Sequence, residues 1–172
     1  GHGGCGKTTL TEALLYATGV TKRPGRVEDG NTMSDFDKEE IARKVSIATS
    51  VIPVEWQDVK FNLLDTPGYF DFVGDVYSAL RASESALILL DASAGVEVGT
   101  EKAWKYTQEY NLPKAIFVNK MDKENVNFNK VIADITNNFG DKVIPFTLPI
   151  GEAENFKGIV DVIKEEAYEY NG

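Results

Sequence analysis

Residues 1–10 read GHGGCGKTTL, and this stretch decides the fold. Gly1, Gly6, Lys7 and Thr8 satisfy the spacing G-x-x-x-x-G-K-[ST], with Gly3 and Gly4 adding backbone freedom. Glycines let successive N–H groups turn inward toward phosphate oxygens, and the helix that follows offers its positive end. Gly3, Gly4, Cys5, Gly6, Lys7, Thr8 and Thr9 are therefore candidate phosphate contacts. Lys7 would reach the terminal phosphates and Thr8 would hold Mg2+.

Working outward, Leu10, Ala13, Leu14 and Ala17 recur at helical spacing until Gly19 supplies a stop. From there to about Ser46 the chain is polar and aperiodic, which predicts a long mobile loop. VSIATSVIPVEW and VKFNLLD read as two strands joined by a turn at Gln57 and Asp58. The apolar runs SALILLDAS and KAIFVNK read as buried strands, each followed by a helical pattern, and KVIPFTLPIG reads as a last strand. This alternation predicts an α/β fold, a P-loop NTPase with a mostly parallel sheet and helices on both faces. Ligands in such sheets bind at the carboxyl ends of the strands, where the remaining motifs fall.

Asp65 closes a strand where a carboxylate can order Mg2+. Asp65-Thr66 could instead only cap the next helix. Pro67-Gly68 favours the first reading, because Gly68 can present its N–H to a terminal phosphate and move when that phosphate leaves. At the end of another buried strand, VNKMD supplies Asn119, Lys120 and Asp122. A carboxylate at Asp122 can accept two N–H bonds from guanine, a donor pair that adenine lacks, while the Lys120 stem lies against the base. GTP and GDP are thus the expected nucleotides, with Mg2+. An ATP-using phosphate-loop kinase would share only the first motif.

Composition sets the outer limits. The 172 residues are 42% hydrophobic and 26% charged, suited to one globular domain. The net charge of -9 argues against a general binder of nucleic-acid backbones. The single cysteine, Cys5, excludes an internal disulfide and matches a reducing compartment. It is either a small side chain that fits the loop or a thiol made oxidisable by Lys7 and the helix start. The lone His2 receives no chemistry. No run is apolar enough to span a membrane, which leads to an expected cytoplasmic location without membrane or sequence-specific DNA partners, as a monomer.

These motifs, with EDGNTMSD, LLDTPGYFDFVGDV, ALILLDASAGVEVGTEKAW, FVNKMDKENVNF and LPIGEAENFKGIVDVI, resemble the translational GTPases, most closely elongation factor G and its paralogues. The resemblance implies a GTP-hydrolysing domain that works on the ribosome, in translocation or a related step. It implies that residues 1–150 are the core of a GTP-binding domain whose first strand is absent, and that 151–172 begin an insert within that domain. The family's RGITI stands here as RKVSI, so Ser46 takes the place of a Thr that binds magnesium, and Lys44 replaces a glycine. With Thr8 and Asp65, Ser46 completes the implied metal set. Gly4 stands where many relatives have Asp.

Tyr69 follows DTPG where the family has a His that positions the attacking water. Together with Lys7 and Gly68 it forms the implied catalytic set. A neutral tyrosine is a poor base, though its hydroxyl can still hold a water. Alternatively, its ring closes an apolar gate and the backbone positions the water. Two functions remain open: a ribosome-dependent GTPase, and a GTP-dependent ribosome-binding switch with little hydrolysis.

Overall fold

A computed structural model describes residues 1–170. The phosphate loop leads directly into α1 (Lys7–Ala17), whose start is set by Gly6 at φ 101°. That left-handed conformation suits glycine. Next comes a segment that the sequence presents as a mobile loop. It contains a short helix, α2 (Lys38–Arg43), closed by a capping box in which Asp37 accepts from Glu39 and Glu40 reaches back to the Asp37 N–H.

Strands β1 (Ser50–Trp56) and β2 (Val59–Asp65) form an antiparallel hairpin. Its turn residues, Gln57 and Asp58, both have positive φ, at 50° and 62°, as a tight two-residue turn between twisted strands requires. The strand expected from Val45 begins only at Ser50. Glu40 Oε1 takes the N–H groups of Ile47 and Ala48, so that backbone is committed to the loop.

Strands β3 (Ala86–Asp91) and β4 (Lys114–Asn119) pair in parallel, with α4 (Val98–Glu109) as the crossover. Helices α3 (Val73–Ala82) and α5 (Phe128–Phe139) complete the alternation, and the α/β class read from the sequence holds. Parallel pairing is confined to β3 and β4 among the described residues. The expected strand at 142–151 shortens to β5 (Thr147–Ile150), which with β6 (Gly158–Asp161) and β7 (Glu166–Glu169) forms a small antiparallel sheet.

Two apolar clusters hold these pieces. Leu15 on α1 packs with Ile52 and Val54 of β1. Leu90, Ala92, Met121 and Val126 pack with Val131 and Ile135 of α5, fixing the chain just beyond the ends of β3 and β4. Each fully buried aliphatic side chain contributes roughly 1.5–3 kcal/mol. The loops that carry the motifs therefore rise from a packed base.

Candidate nucleotide-binding site

Two glycines of the phosphate loop need their type for different reasons. Gly4 lies at φ 79°, and a Cβ on Gly6 would run into the Asn119 amide. The start of α1 has no side-chain cap, which leaves its first N–H groups available to an anion. The Lys7 ammonium donates to the carbonyls of His2 at 3.0 Å and Gly1 at 3.4 Å. Thr8 is buried and Thr9 exposed, and Cys5 is 1% exposed, in keeping with the small side chain that fits the loop.

Oxygen atoms converge beside Thr8. Its Oγ1 lies 3.2 Å from Ser46 Oγ. Asp65 closes β2 and is buried, with Oδ2 free of any hydrogen-bond partner among the described residues. Burial pushes the Asp65 carboxyl above its ordinary range, while the hydroxyls of Thr8 and Ser34 beside it pull the other way. Asp35 is raised in the same manner, by burial, against the Ser46 hydroxyl. Ser34 Oγ is also buried without a partner. Two buried carboxylates among hydroxyls and orphaned oxygens are a donor set that fits a hard cation.

Tyr69, Lys7 and Gly68 meet around Gly3. A Cβ on Gly68 would collide with the Lys7 ammonium and would sit 2.8 Å from Gly3 Cα. A Cβ on Gly3 would come 3.1 Å from the Tyr69 ring. Tyr69 is half exposed, and its hydroxyl makes no hydrogen bond among the described residues. The Tyr69 ring thus lies against Gly3 of the phosphate loop.

At the other end of the loop, Asn119 and Lys120 tie the end of β4 to it. Asn119 Nδ2 donates to Cys5 O at 2.9 Å, and Asn119 Oδ1 accepts the Lys120 N–H at 2.9 Å. Lys120, at φ 62°, turns its side chain back so that Nζ donates to Gly4 O at 2.7 Å. Asp122 is exposed beyond this turn.

Several residues with a part in this geometry went unnoticed in the sequence. Glu12, on α1, is buried and accepts the N–H groups of Gly25 at 3.1 Å and Met33 at 2.6 Å. Glu40 does the same for Ile47 and Ala48, and here a signal existed in the D-x-x-E spacing of Asp37 and Glu40. His2 Nδ1 accepts the Gly99 N–H at 3.3 Å, and its ring meets Phe70 edge-on. Asp91 is also buried and carries two lysines.

Residues 1–170 match the family model described as the elongation factor Tu GTP binding domain. The chain belongs to this family. Among curated relatives of this GTP-binding domain, elongation factor G of Mycoplasma pneumoniae is 39% identical over 99% of the chain and 25% of the relative. Mitochondrial ribosome-releasing factor 2 of Pongo abelii is 40% identical over 99% of the chain and 22% of the relative. An elongation factor G-like protein of Thermotoga maritima is 39% identical over the whole chain and 24% of its own length. A solved structure from Thermus thermophilus superposes with a TM-score of 0.94 at 40% identity, covering 99% of this chain and 26% of that one. The GTP-binding domain described here thus spans about a quarter of the length of the relatives it matches.

Proposed function

We propose that the chain binds GTP and Mg2+ and hydrolyses GTP to GDP and phosphate, as part of an elongation factor G-like translation factor that acts on the ribosome. One observation carries the nucleotide reading. The guanine-reading turn is bonded to the phosphate loop twice, through Asn119 to Cys5 O and Lys120 to Gly4 O. Base and phosphate sites are thereby held at a fixed separation, which is what a nucleotide site needs.

In this reading Gly3, Gly4, Cys5, Gly6, Lys7, Thr8 and Thr9 hold the phosphates. Asn119, Lys120 and Asp122 select guanine. Thr8, Ser46 and Asp65 would hold Mg2+, which when bound offsets the charge of the phosphate oxygens. The buried, unpartnered Asp65 oxygen supports that assignment. Hydrolysis depends on positioning and on charge stabilisation at the terminal phosphate, roles that fall to Lys7, the Gly68 N–H and the Tyr69 ring. The packing of the Tyr69 ring beside Gly3 supports the gate reading of Tyr69. Residues 1–150 form the domain core and 151–172 open an insert, of which Asn171 and Gly172 lie outside the described residues.

The similarity to elongation factor G and to ribosome-releasing factor 2 supports the ribosome as partner. A cytoplasmic monomer accompanies this reading, and among the described residues no helix is long and apolar enough to cross a membrane. A second reading is favoured by Tyr69 itself. A GTP-dependent ribosome-binding switch with little hydrolysis would keep every binding residue and lose only turnover.

The deciding experiment is GTP turnover by the intact protein with and without ribosomes, alongside GTP and ATP competition for the site. Ribosome-stimulated turnover with GTP selectivity supports the first reading. Selective, tight GTP binding without stimulated turnover supports the switch, and equal competition by ATP sinks both.

A further inference from the structure

Strands β3 and β4 end side by side, with Asp91 paired in register to Asn119. Asp91 is 7% exposed, and neither the phosphate motif nor the guanine motif includes it. Both of its oxygens are occupied. Oδ1 accepts from the Ser93 N–H at 3.0 Å and the Ser93 hydroxyl at 2.6 Å. Oδ2 accepts from Lys120 Nζ at 2.8 Å and Lys123 Nζ at 3.1 Å. Burial by itself would push this carboxyl up, but the Lys120 ammonium, the Ser93 hydroxyl and N–H, and Lys123 outweigh it and hold it well below the usual carboxylate range.

The two lysines differ in reach. Lys120 Nζ bonds Gly4 O as well as Asp91, and so bridges β3 to the phosphate loop. Lys123 bonds Asp91 and lies near Ser93 Oγ at 3.4 Å, making no hydrogen bond to the phosphate loop among the described residues. A lysine side chain is among the most costly to immobilise when a ligand arrives. Anchored at its tip by a carboxylate and a carbonyl, its four-carbon stem is already laid out.

We propose that Asp91 is the positioning residue for Lys120, fixing its ammonium between β3 and the phosphate loop so that the stem forms a preset surface for the guanine ring. The inference rests on the guanine reading of Asn119, Lys120 and Asp122 given above. Asp91 acts through Lys120 and does not touch the nucleotide. Its effect falls on the base side of the site, so GDP and GTP feel it equally.

The test is the dissociation rate of fluorescent GDP and GTP from the intact protein at saturating Mg2+. Asp91→Asn keeps the size of the side chain and removes the charge, and it should speed release of both nucleotides by about tenfold, with the GTP-to-GDP ratio unchanged. Asp91→Glu, which keeps the charge, should recover most of that loss. Lys123→Gln should stay within about twofold of wild type, because Lys123 does not reach the loop.

A residue with a structural role alone would lower the melting temperature without this equal change in both off-rates and without rescue by Glu. Unchanged off-rates for Asp91→Asn in a guanine-selective protein would overturn the proposal and leave the guanine reading intact. Wild-type protein that holds ATP as well as GTP would overturn both. Should no Asp91 variant fold, nitrogen NMR of labelled lysines in the nucleotide-free wild type decides the matter. A slowly exchanging Lys120 ammonium signal, assigned with Lys120→Arg, supports the anchor, and a freely exchanging one overturns it.

Discussion

Thr8 and Ser46 place their hydroxyl oxygens 3.2 Å apart although 38 positions separate them in the chain. The long polar segment after α1 thus returns to the phosphate loop and meets it at a particular residue. In the proposed reading Ser46 supplies an oxygen to Mg2+ beside that of Thr8.

Replacing Ser46 by Ala removes this oxygen. A hydrogen bond or ligand to a charged partner is worth about 1.5–3 kcal/mol, so GTP binding should weaken by roughly 10- to 100-fold. If Ser46 responds to the terminal phosphate, GDP binding should fall far less. Titration with fluorescent GTP and GDP at fixed Mg2+ measures both, and equal losses would refute the role given to Ser46.

Glu12 joins α1 to the same segment from its other side, through the Gly25 and Met33 N–H groups. Glu12→Ala leaves both amides without their acceptor, at about 1–3 kcal/mol for each that stays buried. Urea unfolding should show a loss of at least about 2 kcal/mol, and limited proteolysis should open the segment between residues 20 and 36 first. An unchanged midpoint would mean that water replaces the carboxylate at little cost.

Lys44 ends α2 at φ 56°. A side chain in that left-handed region costs about 1 kcal/mol, and glycine relieves it. Lys44→Gly should therefore raise stability by up to about 1 kcal/mol in urea unfolding. A loss of stability would show that the Lys44 side chain contributes contacts that outweigh the strain.

If the Tyr69 ring beside Gly3 acts as the proposed gate, Tyr69→Phe should keep ribosome-stimulated turnover within about twofold of wild type, while Tyr69→Ala should change it by about tenfold or more. Single-turnover measurements on the ribosome separate this from nucleotide binding. A fall of about tenfold for Phe would move the role to the hydroxyl.

Asp91 gives a pH signature. Its folded carboxyl titrates below the ordinary value of about 3.9, so its ionic contacts contribute stability above that pH and lose it as the pH falls toward the folded value. The stability gap between wild type and Asp91→Asn should be constant from about pH 8 to pH 5 and should shrink below about pH 4. A gap that shrinks between about pH 7 and 6 would contradict the ionic account.

The local motifs were legible because each is a contiguous run whose chemistry follows from its own residues. Gly6-Lys7-Thr8, Asp65-Thr66-Pro67-Gly68 and Asn119-Lys120 each fall at the end of a strand or the start of a helix, as their order in the chain indicates. The capped helix α2 was missed because six residues are too few to show a period, although Asp37 and Glu40 carried the cap. The late start of β1 was hidden for a related reason. Val45, Ile47 and Thr49 are strand-forming residues, but the Glu40 carboxylate claims the backbone at Ile47 and Ala48.

By itself, then, the sequence determined the α/β class, the phosphate loop, and the strand ends that carry the polar motifs, since hydrophobic periodicity and glycine placement are local properties. Tertiary structure alone decided that Glu12 and Glu40 order the segment between α1 and β1, that the Tyr69 ring rests over Gly3, and that Asp91 holds Lys120. Nearly all of these are contacts between residues well separated in the chain. A carboxylate reads the same in sequence whether it faces water or is buried, and only packing removes the water and makes its partner matter.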